Sequence, residues 1–174
     1  MGTSLDKIKQ LRHLTSCGII DCKKALKESG GDLEKAKDIL RKRGLEIAAN
    51  KADRQTREGR IESYVHLGNK IGVLVEVGCE TDFVARNEDF ISFTKDIAMQ
   101  IAAAQPLYIR REDVPVDLIK DEEEEEYFKK NCLLEQLFIK DQSITIKDYL
   151  NSIIAKIGEN IVICRFVRFQ VGKG

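Results

Sequence analysis

Apolar positions in the first fifty residues recur at steps of three and four in three short blocks. These are Leu5, Ile8, Leu11 and Leu14; Ile19, Cys22, Ala25 and Leu26; and Leu33, Ala36, Ile39 and Leu40. That spacing puts each block on one face of a helix. Punctuation separates them: Gly18 opens the second, Ser29-Gly30-Gly31 closes it, Asp32 caps the third, and Gly44 ends it in a left-handed C-cap. So few large apolar side chains make only a small three-helix core, whose use is a surface for binding a partner. Ile19 and Ile20 are adjacent, so one helix face cannot bury both, and one is expected to point outward. Residues 45–60 are rich in Ala and charge without a stripe, and predict a helical linker.

From residue 61 the period changes. Ile61 to His66 and Lys70 to Val77 are short β-branched runs joined by Leu67-Gly68-Asn69, a hairpin pattern. The second run is apolar enough to predict a strand with both faces mostly covered. A third strand, Ile161 to Val171, alternates along its length and must return to pair with the hairpin. Helices connect them. Phe90, Phe93, Ile97, Ile101 and Ala104 form one stripe, capped by Asn87 and followed by the breaker Pro106. Arg111 to Pro115 leads into a helix from about Val116 to Lys130, whose acidic run 121–126 reads as a solvated face; Leu133, Leu134, Leu137 and Phe138 follow as apolar anchors. A last helix, Ile146 to Ile157, starts at Thr145 with Asp148 in capping-box position and ends at Gly158. The organisation is α+β: an N-terminal helical domain over 1–44, a linker over 45–60 and a core domain over 61–174.

Between the second strand and the Phe90 helix the chain turns through Thr81-Asp82-Phe83-Val84-Ala85-Arg86-Asn87. Gly78 permits the turn, Thr81 or Asp82 caps a short helical turn, and Phe83 falls on a protruding corner. The residues alone leave two placements open for Phe83, folded back as core or presented to a partner.

Composition narrows the function. The 174 residues are 43% hydrophobic and 33% charged, as in a globular protein. No apolar run approaches the roughly 18 residues of a membrane helix, and the N-terminus lacks a signal-peptide pattern, so a cytosolic protein without membrane contact is expected. Five cysteines at irregular positions predict reduced thiols packed as small hydrophobes. His13, Cys17 and Cys22 lack a fourth ligand for zinc, so no metal site is expected. Residues 1–60 hold 15 of the 29 basic and 9 of the 29 acidic residues, a net +6 against −6 for the remainder. This basic part contains no aromatic residue on which bases could stack, which favours protein contact over nucleic acid. Phosphate-loop, dinucleotide and His-Glu-x-x-His patterns are absent, and Cys79 with His66 carries no supporting motif. Neither catalysis nor a cofactor is expected. An adaptor for another protein and an RNA-binding accessory remain as rival readings.

Several motifs agree in one direction. Thr15-Ser16-Cys17-Gly18-Ile19-Ile20-Asp21-Cys22-Lys23-Lys24-Ala25-Leu26, Gly31-Asp32-Leu33-Glu34-Lys35-Ala36, Arg57-Glu58-Gly59, Cys79-Glu80-Thr81-Asp82-Phe83-Val84-Ala85-Arg86-Asn87, Leu133-Leu134-Glu135-Gln136 and Gly158-Glu159-Asn160-Ile161 occur in the order found in translation elongation factor Ts. The chain resembles that family over nearly its whole length. The resemblance implies a domain like a ubiquitin-associated (UBA-like) bundle, then a core with a three-stranded antiparallel sheet. It also implies a guanine-nucleotide exchange factor that binds elongation factor Tu, both GDP-bound and nucleotide-free, in a bacterial cytoplasm or an organelle. Asp82 and Phe83, with Thr81 and Val84 shaping the corner, would then intrude near the partner's Mg2+ site, and Ile19 and Ile20 would contact a helix of its GTPase domain. Two departures stand out: Ser16 and Cys17 replace Gly-Ala in the family's usual Thr-Gly-Ala-Gly, and a single core copy resembles the short class that homodimerises.

Overall fold

The computed structural model describes residues 5–15, 17–118 and 124–173; Ser16, and residues 119–123 of the expected acidic helix, lie outside them. The chain divides into two compact units, Met1–Arg54 with Asn151–Asn160, and Gln55–Leu150 with Ile161–Gly174.

In the first unit, α1 (Leu5–Thr15), α2 (Ile19–Glu28) and α3 (Leu33–Ala49) form the expected bundle. Ile8, Leu11, Cys22, Ala25, Leu26, Ala36 and Leu40 are its buried core, with Cys17, Leu33 and Ile39 packed against it. Leu5 and Leu14, at the two ends of the first stripe, stay exposed because only the middle of an eleven-residue helix meets both neighbours. Asp32 caps α3, its carboxylate accepting the Lys35 N–H at 3.1 Å.

The stop expected at Gly44 is not there. Gly44 is buried in the interior of α3, which runs on to Ala49, and Asn50 is the C-cap. The Ala-rich turn that follows favours helix, and one interior glycine costs only about 1 kcal/mol against it. Beyond the helix, Lys51 Nζ donates to the Gly158 carbonyl (2.6 Å), and buried Asn160 donates Nδ2 to the carbonyls of Ala52 and Arg54. Asn160 of the Gly-Glu-Asn motif therefore fastens the 52–54 segment.

In the second unit, β1 (Glu58–Val65), β2 (Ile71–Cys79) and β5 (Ile161–Gln170) form an antiparallel sheet in the order β1-β2-β5. β1 starts at Glu58, inside the span expected to be linker. The 66–71 turn uses left-handed Gly68 and Asn69, as the hairpin pattern requires. Helix α5 (Glu88–Ala104) brings buried Phe90, Phe93, Ile97 and Ile101 to the face carrying Val73, Val75 and Val77.

The other face of β2 departs from expectation: among the described residues it is covered only at its Gly78 end, and Leu74 is exposed. Its cross-strand rows are Ile61–Glu76–Arg165, Ser63–Leu74–Val167 and Val65–Gly72–Phe169. Ile61, Val65, Leu74, Val167 and Phe169 are all exposed there. At one end of the sheet Cys164 is the extra residue of a β-bulge, because Glu76 faces Arg165 while Val77 faces Ile163. Position 78 beside it is tight: a Cβ there would sit 3.0 Å from Thr56 Oγ1 and 3.3 Å from Cys164 Sγ, so those side chains would have to give way by a few tenths of an ångström.

Among the described residues, the connection back to β5 holds three 3-10 turns, Arg111–Asp113, Val116–Leu118 and Leu133–Glu135, and α6 (Glu124–Asn131). A second, two-stranded hairpin, β3 (Leu137–Phe138) and β4 (Asp141–Thr145), was not expected. It is held by buried amides. Gln100 Nε2 donates to the Leu137 carbonyl and its Oε1 accepts the Ile139 N–H, while Gln136 Nε2 donates to the carbonyls of Ala104 and Lys130. Helix α7 (Ile146–Ile157) opens with the capping box, Asp148 N–H to Thr145 Oγ1 (3.1 Å) and Thr145 N–H to Asp148 Oδ2 (3.3 Å). The fold is thus α+β, a helical bundle and a three-stranded antiparallel sheet packed with helices.

Candidate partner-binding corner after the second strand

Strand β2 delivers the chain to the corner under tight control. Cys79 is buried and donates its thiol to the Thr81 carbonyl at 3.2 Å. Thr81, still extended at φ −128° and ψ 155°, caps the one-turn helix α4 (Asp82–Ala85) by accepting the Val84 N–H on Oγ1 at 3.4 Å. Val84 is buried, and α4 lies against β1 and β2. The Asn87 N–H closes the turn on the Val84 carbonyl, and the Asn87 side chain accepts the Asp89 N–H at 2.8 Å to start α5. Two N-caps within seven residues fix the backbone from both sides.

What this frame presents is an apolar ring beside an ion pair. Phe83 is 80% exposed and does not fold back into the core. Leaving a Phe in water forgoes about 1.5–3 kcal/mol that its burial would contribute, and a rigid capped turn is an unusual place for that loss. Beside it, Asp82 Oδ2 accepts from Arg86 Nη2 at 2.9 Å. Arg86 was not singled out from the sequence, although its i,i+4 spacing from Asp82 is the signal that finds it. In the other unit, Ile19 and Ile20 occupy the first turn of α2 and are both exposed, at 55% and 68%, where only one was expected outward. The buried face of α2 is Cys22, Ala25 and Leu26, while both isoleucines, the first two residues of the helix, lie outside the core.

The family profile described as Elongation factor TS matches residues 19–126 and 124–173. The chain belongs to the elongation factor Ts family. Its similarity to other members of that family is high throughout. The elongation factor Ts of Carboxydothermus hydrogenoformans is 52% identical over 191 positions, covering 96% of this chain and 88% of that protein. Those of a Thermoanaerobacter species (strain X514) and Thermotoga petrophila are 51% and 47% identical, covering 98% and 100% of this chain and 96% and 98% of those proteins. A member of the elongation factor Ts family is a translation elongation factor, and both the corner and the two isoleucines lie within the matched residues. Among the described residues no helix is long and apolar enough to cross a membrane.

Proposed function

We propose that the chain is a guanine-nucleotide exchange factor that binds elongation factor Tu and promotes release of GDP. It works in the cytoplasm, by binding and not by catalysing a covalent step. The observation that carries this reading is Phe83, 80% exposed on a doubly capped corner whose next residue, Val84, is buried. A ring held out on a fixed backbone can enter a partner without paying to order itself first. Linkage supplies the rest. A factor that binds the nucleotide-free partner better than the GDP-bound one weakens GDP binding by the same ratio. Mg2+ demands near-ideal octahedral geometry, so displacing its surroundings by about an ångström loosens metal and nucleotide together.

In this scheme Phe83 is the wedge and Asp82 the polar competitor near the partner's metal site. Thr81 and Val84 hold the corner in shape, and Ile19 and Ile20 dock the helical domain. The reading is tested by stopped-flow release of fluorescent GDP from elongation factor Tu. Release should accelerate in proportion to added chain until it saturates, and an unchanged rate at saturating chain would overturn it.

The same factor is proposed to homodimerise through its core domain. Support comes from the bare sheet face carrying Ile61, Val65, Leu74, Val167 and Phe169. A contiguous exposed apolar patch of this kind marks an interaction surface in a water-soluble protein.

A further inference from the structure

Cys17 and Cys22 occupy special positions around the start of α2. Gly18 is the N-cap, so Cys17 is the residue before the cap and Cys22 the fourth residue of the helix. These are the two positions whose side chains meet in a hydrophobic staple. Cys22 Sγ donates to the Cys17 backbone carbonyl oxygen at 3.8 Å, and Cys17 packs against the buried cluster to which Cys22 belongs. Thr15 Oγ1 lies 3.4 Å from the Cys17 N–H nitrogen and 4.0 Å from Cys22 Sγ, drawing the two into one nest. Cys22 is fully buried, whereas Cys17 is half-buried and reachable. The short segment they bracket is Gly18 to Asp21, and it carries Ile19 and Ile20.

We propose that Cys17 and Cys22 are a redox-active dithiol, oxidised by low-molecular-weight disulfides to an intrachain bridge that reshapes the turn presenting Ile19 and Ile20. The Cys17 thiolate attacks the small disulfide, forming a mixed disulfide and expelling one small thiolate. The Cys22 thiolate then attacks the Cys17 sulfur, closing the protein disulfide and expelling the second. Two protein thiols are oxidised, one small disulfide is reduced to two thiols, and a dithiol reductant reverses the change. Burial pushes both thiols above their ordinary range, reinforced by the Asp21 carboxylate and opposed by the Thr15 hydroxyl, with Lys156 acting on Cys17 and Arg12 on Cys22. Closure is accordingly slow at neutral pH and faster in mild base, where more thiolate is present. Bridging pulls the residue before the cap onto the first helical turn, so the backbone under both isoleucines shifts. Only this last consequence, for partner docking, rests on the function proposed above.

The test uses the full chain carrying Cys164→Ser, to remove the exposed thiol. It is incubated with oxidised glutathione at mildly basic pH, alkylated and digested with trypsin. One peptide, His13 to Lys23, contains both cysteines. The expected result is a peptide lighter by two hydrogens with no alkyl group, restored to two alkyl groups by dithiothreitol. A doubly alkylated peptide, or a glutathione adduct on Cys17 that never closes, overturns the proposal. In the second arm the oxidised chain should bind elongation factor Tu several-fold more weakly than the reduced chain. Added Cys17→Ser should abolish that difference, and equal affinity of bridged and reduced chains overturns the switch. If the reduced chain does not bind elongation factor Tu at all, the functional reading fails while the peptide mass still decides the bridge.

Discussion

Phe83 and the two isoleucines pose the same problem at the residue scale, large apolar side chains left in water by a chain that buries Phe90, Phe93 and Phe128 in α5 and α6. If Ile19 and Ile20 dock a partner, Ile20→Asp should weaken affinity for elongation factor Tu by roughly tenfold or more, a loss on the scale of an interface contact of 1–2 kcal/mol. Both isoleucines are exposed, so urea unfolding of that variant should match the parent within about 0.5 kcal/mol. Equal affinity with Asp at either position would remove the docking role. Asp82→Ala should slow exchange less than loss of the ring does, because the carboxylate is already engaged by Arg86 in the free chain. The caps at Thr81 and Asn87 were legible because cap residues act on their own neighbours. The exposure of both isoleucines was not, because the sequence does not say where a helix ends relative to its bundle.

At the element scale, long stripes were readable and short or interrupted ones were not. The α5 stripe and the α7 capping box are local patterns, and the structure realises both. Gly44 misled the reading of α3 because a glycine that ends a helix and one tolerated inside it look alike. There the structure permits a gain: a Cβ at Gly44 would meet nothing closer than the Asn151 carbonyl oxygen at 3.7 Å. Gly44→Ala should therefore raise stability by about 0.5–1 kcal/mol in urea unfolding, and a loss would show that the site is tighter than this distance. Thr145→Ala should cost about 1 kcal/mol, since it removes the cap oxygen of α7. The β3–β4 hairpin leaves no pattern in the sequence because β3 has two residues and β4 begins with polar Asp141-Gln142-Ser143. What holds it is tertiary: Gln100 satisfies the backbone of Leu137 and Ile139 from 37 and 39 residues away and also donates to Gln136, which no window along the chain reveals.

For the whole molecule, the strand β2 was expected to be covered on both faces, yet α5 covers only one. That mismatch is what points to a second copy. Phe169→Lys should convert the proposed dimer to a monomer in sedimentation equilibrium, whereas a parent chain that is already monomeric at tens of micromolar would end the dimer proposal. In the proposed mechanism the core domain is a stable scaffold holding one ring out for a partner. This role is tested most directly by measuring GDP release from elongation factor Tu with the Phe83→Ala chain, beside that chain's own urea unfolding. Exchange should fall about thirtyfold, the scale of a 2 kcal/mol hot spot, with stability nearly unchanged. A chain destabilised by about 3–5 kcal/mol, as deletion of a buried Phe requires, but with full exchange activity per folded molecule, would contradict that mechanism.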